Sequence, residues 1–149
     1  MKLGDYLVKD LILPNLTSDS KSGVLMELIA PVGKTEPEVD TDHAVRVLLD
    51  RERLGTTGIG DGIAIPHGKL ENLEKVIVVA GRSPEGVDFE ALDHRPCFIF
   101  FLVLAPEQMA GLHLRILAQI SRVLKDEAFR KRFLEAEGRD ELWNLLQDV

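Results

Sequence analysis

The most constraining feature of this chain is an unbroken apolar segment at residues 97–104, which reads CFIFFLVL. Aromatic and β-branched side chains favour a strand. Because successive side chains of a strand point to opposite faces, a strand made only of apolar residues is buried on both faces. The segment is far shorter than the roughly 20 residues that span a bilayer. It therefore predicts a buried strand within a layered, soluble fold.

Two helices are predicted before the glycine-rich stretch in the middle of the chain. Ser18 or Asp19 can cap the first helix, and Asp40 or Thr41 can cap the second. The second helix is predicted to end at Gly55, because glycine commonly terminates helices. Each helix carries an apolar set, which comprises Val24, Leu25, Leu28 and Ile29 in the first and Val45, Val47, Leu48 and Leu49 in the second.

The rest of the chain supplies strands and then further helices. Three segments rich in β-branched or aromatic residues are predicted as strands, at residues 63–65, 76–80 and 97–104. From Leu112 the apolar residues recur about every 3.6 positions, and more helices are predicted at 129–136 and 141–146. Helices on either side of a strand cluster indicate an α/β fold, and we expect a single domain over residues 1–149.

Composition argues against several classes of function. The chain has 18 Lys and Arg against 25 Asp and Glu, a net charge of −7, so nucleic acid is not expected as a partner. The single cysteine, Cys97, cannot form an intrachain disulfide, which favours a reducing compartment. No apolar signal segment is seen in the first residues, and we expect a cytoplasmic protein without membrane insertion.

The glycine-rich stretch does not fit the known nucleotide-binding loops. A dinucleotide fingerprint needs a third glycine where Ile63 stands. A P-loop fails as well, because Leu70 occupies the position of the Ser or Thr that would bind Mg²⁺. The histidines also lack the i, i+4 spacing of metal ligands on a helix. We therefore expect no metal and no cofactor.

Residues 63–69, which read IAIPHGK, single out His67. A short apolar strand runs into Pro66, which has no amide donor, so the strand is predicted to end there with the imidazole at its carboxyl end. Gly68 leaves room for a ligand to approach the backbone. The alternative is a polar residue at a strand end with no chemical role.

Two further side chains are candidates for the same site. His113 follows the apolar strand in the first turn of the next helix, and ligands gather at the carboxyl ends of strands in open α/β sheets. If the strands run parallel, the two imidazoles meet; otherwise His113 is a hydrogen-bonded core residue. Arg51 lies near the end of the second helix, and its guanidinium matches the paired oxygens of a phosphate. Alternatively it complements the helix dipole, as Arg53 could.

The remaining histidines and the cysteine are predicted to have no chemical role. His43 lies in the opening turn of a helix and His94 in a turn before a strand, so both are expected to face solvent. Cys97 opens the apolar strand, where it fits as a small buried hydrophobic residue. The candidate site therefore consists of His67, His113 and Arg51.

Residues 51–69, RERLGTTGIGDGIAIPHGK, resemble the signature of a known bacterial family. The Arg-Glu pair, the glycine ladder and Ile-Pro-His occur together in enzyme IIA domains of the fructose/mannitol/nitrogen class of the phosphoenolpyruvate phosphotransferase system. The likeness covers nearly the whole chain and continues in short motifs, namely GVDF at 86–89, LD at 92–93, APE at 105–107, HL at 113–114 and LKD at 124–126.

The resemblance implies a phosphotransferase in which His67 accepts phosphate, through Nε2, while a hydrogen bond holds its other ring nitrogen. It also implies that His113 is the second active-site histidine and that Arg51 faces the phosphoryl group. The implied fold is a mixed five-stranded sheet flanked by helices on both faces. Asp61 stands where the family commonly has asparagine, and its charge would oppose a phosphorylated His67, so we expect it to face solvent.

The partners implied by the resemblance are proteins. A histidine phosphocarrier protein of the HPr or NPr kind donates phosphate, and regulatory targets or an enzyme IIB receive the signal or the group. No transporter or enzyme IIB segment is seen, which favours the nitrogen-regulatory branch, as do the sequences at 67–70 and 112–126. The alternative is a free-standing fructose-type enzyme IIA that relays phosphate to a sugar-specific enzyme IIB for uptake.

Overall fold

Six strands form one mixed sheet in the computed structural model, which describes residues 1–149. They are β1 (Ile12–Leu13), β2 (Gly58–Gly60), β3 (Ile63–Ala64), β4 (His67–Leu70), β5 (Ile77–Val87) and β6 (Cys97–Pro106). Antiparallel β5 pairs with one edge of β6, whereas β3 and β4 pair with its other edge and run parallel to it. β1 adjoins β5, and β2 adjoins β3. The predicted apolar strand is therefore central in the sheet.

Six helices accompany the sheet, in chain order α1 (Lys21–Ile29), α2 (Val32–Thr35), α3 (Thr41–Arg53), α4 (Ala110–Leu124), α5 (Glu127–Glu135) and α6 (Arg139–Leu146). Three short 3₁₀ helices lie at Leu3–Tyr6, Lys9–Leu11 and Glu107–Met109. None of the helices combines the length and the apolar character needed to cross a membrane.

The two faces of β6 belong to two separate hydrophobic cores. Ile99, Phe101 and Val103 pack with the apolar residues of α4, α5 and α6. The alternate residues, which include Phe100 and Leu102, pack with those of α1, α2 and α3. This arrangement confirms an α/β fold whose mixed sheet is flanked by helices on both faces.

The sheet has six strands where five were expected, because the strand beside β6 is interrupted. β3 and β4 lie end to end along β6, with Ala64 paired to Phe100 and His67 paired to Val103. Between them Pro66 has no N–H to continue the ladder, although its carbonyl accepts a hydrogen bond from the Val103 N–H at 2.9 Å. The predicted strand does end before Pro66, at Ala64, but His67 does not lie at a carboxyl end as predicted, since it begins a second short strand.

The first helix begins later than its predicted cap. Ser20 caps α1, and its hydroxyl accepts a hydrogen bond from the Gly23 N–H at 3.1 Å. The Glu27 carboxylate instead binds the backbone N–H groups of Thr17 at 2.9 Å and Ser18 at 3.0 Å, which holds these residues in the preceding connection. The prediction of Ser18 or Asp19 as the cap is wrong for this reason.

The second helix starts where it was predicted and ends slightly earlier. The Asp40 carboxylate accepts a hydrogen bond from the His43 N–H at 3.1 Å and caps α3. The helix ends at Arg53, and Gly55 follows with a φ of 151°, a conformation that favours glycine. Gly55 thus lies in the connection after the helix.

Strand β5 extends well beyond the predicted residues 76–80 and carries a buried arginine, Arg82. Its Nη1 donates hydrogen bonds to the carbonyls of Phe133 at 3.0 Å and Ala136 at 2.6 Å, and its Nε donates to the carbonyl of Pro14 at 3.1 Å. The guanidinium therefore binds the carbonyl end of α5 to the sheet, where the helix dipole favours a cation.

Candidate functional site

His67 is the first residue of β4 and is half-buried. Its Nδ1 lies 2.9 Å from the carbonyl oxygen of Ile65. Because a carbonyl oxygen only accepts hydrogen bonds, Nδ1 carries the proton and Nε2 carries the lone pair. The hydrogen bond to the Ile65 carbonyl thus leaves the lone pair of Nε2 unused in the neutral ring.

His113 lies in the first turn of α4 and is only 4% exposed. Its ring centroid is 5.6 Å from that of His67, and the two ring planes are inclined by 75°. Both rings come together because β4 runs parallel to β6 and α4 follows β6, which is the condition under which the sequence analysis expected them to meet. The Nε2 atom of His113 is buried and has no hydrogen-bond partner within the protein.

Burial lowers the pKa of His113 from its usual range, and the neighbouring His67 and Lys69 lower it further. A histidine with a lowered pKa is neutral at pH 7. A neutral imidazole has one donor and one acceptor nitrogen, and the tautomer decides which role Nε2 takes. His113 can therefore donate one hydrogen bond to an anion beside His67.

Arg51 lies in the last turn of α3, and its Nη1 donates a hydrogen bond to the carbonyl of Gly55 at 2.9 Å. Arg53, two residues later, is paired with Asp50. Arg51 itself forms no ion pair with a carboxylate. Arg51 therefore binds the Gly55 carbonyl beyond the end of the helix. Its positive charge is not balanced by a carboxylate and lies in the same cavity as His67.

A cavity of about 640 Å³ at the edge of the sheet brings these side chains together. It lies between the end of α3 and the start of α4, and its lining includes Arg51, Leu54, His67, Lys69, His113 and Leu114. All three predicted site residues thus face one cavity. Leu54 is 85% exposed and Leu114 is 68% exposed, so the cavity has an apolar side chain exposed at each of its two helices.

Lys69 is a cavity residue that the sequence reasoning missed. Side chains two positions apart in a strand share a face, so Lys69 lies on the same face of β4 as His67. Like Arg51, it forms no ion pair with a carboxylate. The i, i+2 spacing could have revealed it, had residues 67–70 been recognised as a strand.

Gly68 fixes the approach of α3 to the sheet. A Cβ atom at this position would lie 2.8 Å from Cγ1 of Val47 in α3. Helix α3 therefore fills the space beside Gly68. The prediction that Gly68 leaves room for a ligand is wrong on this side of the strand. Because α3 carries Arg51, this contact sets the distance of the guanidinium from β4.

The residues that were predicted to have no chemical role lie where they were expected. His43 and His94 are exposed, and Cys97 is buried, where burial raises its pKa to about 11. Asp61 faces solvent with a φ of 57°, a left-handed conformation that Asn and Asp tolerate better than most residues. No group of three or more His, Cys, Asp or Glu side chains is placed to hold a metal ion.

A family model described as "Phosphoenolpyruvate-dependent sugar phosphotransferase system, EIIA 2" matches residues 5–149. The chain belongs to this family. The resemblance stated from residues 51–69 is thereby confirmed. The chain is an EIIA-type component of the phosphotransferase system. Its mixed sheet and flanking helices agree with those of solved family members.

Members of two functional branches are similar to this EIIA chain over most of its length. A nitrogen regulatory protein of Bradyrhizobium diazoefficiens is 39% identical over 147 residues, which cover 98% of this chain and 95% of that protein. A PTS system fructose-specific EIIA component of Haloferax volcanii is 38% identical over 136 residues, which cover 91% and 86%. Both the regulatory and the fructose-type functions therefore occur among its relatives.

A solved complex of enzyme IIA mannitol with phosphorylated enzyme IIB mannitol from Escherichia coli contains a chain similar to this one. The two chains have a TM-score of 0.78 and 25% sequence identity, and the match covers 94% of this chain and 96% of that one. An EIIA of the same fold thus forms a complex with an EIIB.

The lowered pKa of His113 predicts a pH-dependent stability. Below about pH 6.5 the unfolded chain binds a proton at His113 that the folded chain does not bind, so the free energy of unfolding falls as pH falls. For one proton the slope is at most about 1.4 kcal/mol per pH unit. We expect His113→Gln to remove this contribution to the slope of the unfolding free energy against pH. Urea unfolding measures it between about pH 8 and pH 5, the range in which histidines titrate.

His43→Gln is the matched control for this measurement, because His43 is exposed. It should leave the pH profile of the wild type unchanged. Identical profiles for the wild type and His113→Gln would contradict the prediction.

Proposed function

We propose that residues 1–149 act as a single phosphoryl-carrier domain, in which Nε2 of His67 accepts a phosphoryl group from a histidine phosphocarrier protein of the HPr or NPr kind. The observation that carries the proposal is the hydrogen bond of 2.9 Å between Nδ1 of His67 and the Ile65 carbonyl. It leaves the Nε2 lone pair available in a cavity that also holds His113 and Arg51.

The reaction is an in-line displacement at phosphorus. A bond forms between Nε2 of His67 and phosphorus while the bond from phosphorus to the donor imidazole breaks, and the donor nitrogen keeps the electron pair of that bond. No proton has to leave Nε2, because Nδ1 carries the proton in this tautomer. The protein's contribution is therefore to position the ring and to neutralise the charge on the transferring group.

Two neighbouring cations supply that neutralisation, and a neutral imidazole adds a hydrogen bond. Arg51 offers two parallel N–H donors to the phosphoryl oxygens, a geometry that a planar guanidinium suits. Lys69 adds a second positive charge from the same face of β4. The buried Nε2 of His113 has no partner within the protein, so it can donate to a phosphoryl oxygen without losing another hydrogen bond.

The exposed rim of the cavity favours a protein rather than a small molecule as the phosphoryl donor. Leu54 and Leu114 expose large apolar side chains on either side of the cavity, and such patches favour docking of another protein. A docked protein excludes water from the phosphorylated histidine. The solved mannitol complex, which holds a phosphorylated enzyme IIB, supports an enzyme IIB as one possible acceptor.

We infer a nitrogen-type regulatory role in the cytoplasm, in which target proteins distinguish phosphorylated from unmodified His67. The nitrogen regulatory relative of B. diazoefficiens supports this branch, since the match spans nearly the full length of both chains. The fructose-specific relative of H. volcanii supports the second candidate, a relay of phosphate to a sugar-specific enzyme IIB.

Intact-mass measurement tests the accepting residue. After incubation with enzyme I, phosphoenolpyruvate and the histidine phosphocarrier, we expect the wild type to gain one phosphoryl group. His67→Ala should gain none, because His113, the other imidazole of the cavity, is only 4% exposed and is out of reach of the donor. His43→Ala serves as the control and should be labelled like the wild type, and labelling of His67→Ala would contradict the assignment.

Transfer rates test the roles of His113 and Arg51. His113→Ala should still accept phosphate, with onward transfer slowed more than acceptance, because a hydrogen bond to the phosphoryl group is lost. Arg51→Lys should be slowed by about tenfold or more, since a point charge cannot replace a two-pronged contact. Arg53→Lys is the matched control on the same helix end and should transfer at the wild-type rate. Wild-type rates in His113→Ala and Arg51→Lys would remove both residues from the mechanism.

The affinity of a target protein captured from cell extract distinguishes the regulatory role from the sugar relay. Phosphorylation adds roughly −1.5 to −2 charges at one concave place on the protein. A target that covers the cavity should therefore bind the unmodified protein at least about tenfold more tightly than the phosphorylated one. Calorimetric titration of both forms measures the difference. Equal affinities would argue against a switch at His67 and favour the fructose-type relay.

A further inference from the structure

A largely buried ion pair lies close to the cavity but does not line it. The Nζ atom of Lys21, at the start of α1, is 3.0 Å from Oε1 of Glu52, in the last turn of α3. The Glu52 residue is only 7% exposed. The Lys21 ammonium also lies 4.8 Å from the ring centroid of Phe89, which favours a cation.

The carboxylate of Glu52 uses its remaining hydrogen-bonding capacity on one residue, Thr57. Oε1 accepts a hydrogen bond from the Thr57 N–H at 3.0 Å, and Oε2 accepts one from the Thr57 hydroxyl. Thr56 is fixed as well, because its hydroxyl donates to the Phe89 carbonyl at 3.1 Å and accepts from the Gly58 N–H at 3.1 Å. The segment that connects α3 to β2 is therefore held by a buried charge.

This segment reaches His67 through two backbone hydrogen bonds. The carbonyl of Thr57 accepts a hydrogen bond from the Ile65 N–H at 3.0 Å. The carbonyl of the same Ile65 accepts the hydrogen bond from Nδ1 of His67. The position of Glu52 is thus linked, through Thr57 and Ile65, to the carbonyl that determines the tautomer of His67.

The same segment also reaches Arg51. Nη1 of Arg51 donates its hydrogen bond to the carbonyl of Gly55. In the chain, Gly55 lies between Glu52 and Thr57, the residue that Glu52 holds. A displacement of Thr57 would therefore move both the Gly55 carbonyl and the Ile65 carbonyl. Arg51 and His67 share one support.

We propose that Lys21 and Glu52 form a positioning pair, which aligns His67 and Arg51 for phosphoryl transfer by holding the segment around Thr57. The proposal rests on the proposed function of His67 as phosphoryl acceptor. Neither Lys21 nor Glu52 lines the cavity, so they act through the residues they hold. Buried ion pairs are seldom more stabilising than apolar residues of similar size, whereas a carboxylate can accept several directed hydrogen bonds at once.

The main test compares the wild type with Glu52→Gln, which keeps the size of the side chain and removes its charge. Long-range ¹H–¹⁵N correlations of the unphosphorylated protein report which nitrogen of His67 carries the proton. In the wild type we expect the Nδ1–H tautomer, and in Glu52→Gln we expect a mixture of both tautomers. This measurement needs no partner protein.

Phosphoryl acceptance is then measured over a range of phosphocarrier concentrations. We expect the rate at saturation to fall by about tenfold or more in Glu52→Gln, because misaligned reacting groups slow a transfer strongly. The half-saturating concentration should change by less than about threefold, since the apolar rim that binds the carrier is intact. The effect is thus on the chemical step.

Two control variants separate positioning from loss of stability. Arg82→Met removes the buried cation that binds the end of α5 and does not touch the segment around Thr57. Glu36→Gln removes another ion pair, with Lys75 at 2.6 Å. Both should keep the wild-type tautomer and saturated rate, with thermal unfolding recorded for every variant.

Thr57→Val replaces Glu52→Gln if the latter does not fold, because it removes only the hydroxyl that donates to Glu52. It should shift the tautomer and the rate in the same direction. Wild-type tautomer and rate in the variants at 52 and 57 would overturn the proposal, as would an equal rate loss in Arg82→Met. If the wild type accepts no phosphoryl group, the proposed function fails, and the tautomer comparison still decides the positioning role.

Discussion

Strand β6 is buried on both faces, and the positions of the other elements follow from this burial. Its two faces require helices on both sides of the sheet, and its two edges hold β5 and the interrupted pair β3 and β4. Since β4 runs parallel to β6, His67 lies beside the start of α4, which carries His113. The hydrophobic effect that buries β6 thus also determines where the two imidazoles meet.

The local charge of the cavity differs from the charge of the whole chain. The chain has a net charge of −7, yet Arg51 and Lys69 face the cavity without a carboxylate partner, and Asp50 is held by Arg53. Burial keeps His113 neutral, so it adds a hydrogen-bonding group without a further charge. This arrangement would suit the proposed phosphorylation of His67. A permanent carboxylate partner on Arg51 or Lys69 would weaken their attraction to a phosphoryl group.

Strong local patterns in the sequence predicted the fold class, whereas the grouping of His67, His113 and Arg51 in one site was implied by the family resemblance of residues 51–69. Apolar periodicity and a run of eight apolar residues identify the layers. The residues alone predicted that the two imidazoles meet only if their strands run parallel. Strand β4 was not predictable, since HGKL has little strand propensity and pairs only because β6 is adjacent. The support by Lys21 and Glu52 was also missed, because it joins residues 31 positions apart.

The close contact between Gly68 and Val47 has a consequence for which sequences this site can tolerate. His67 belongs to β4 and Arg51 belongs to α3, so the separation of their side chains includes the gap between that helix and that strand. Any side chain at position 68 would widen that gap and carry the guanidinium away from the imidazole, even though position 68 needs no unusual backbone angle. The small size of this residue therefore sets a spacing within the site, and alanine would be opposed there by contact with Val47 rather than by backbone strain.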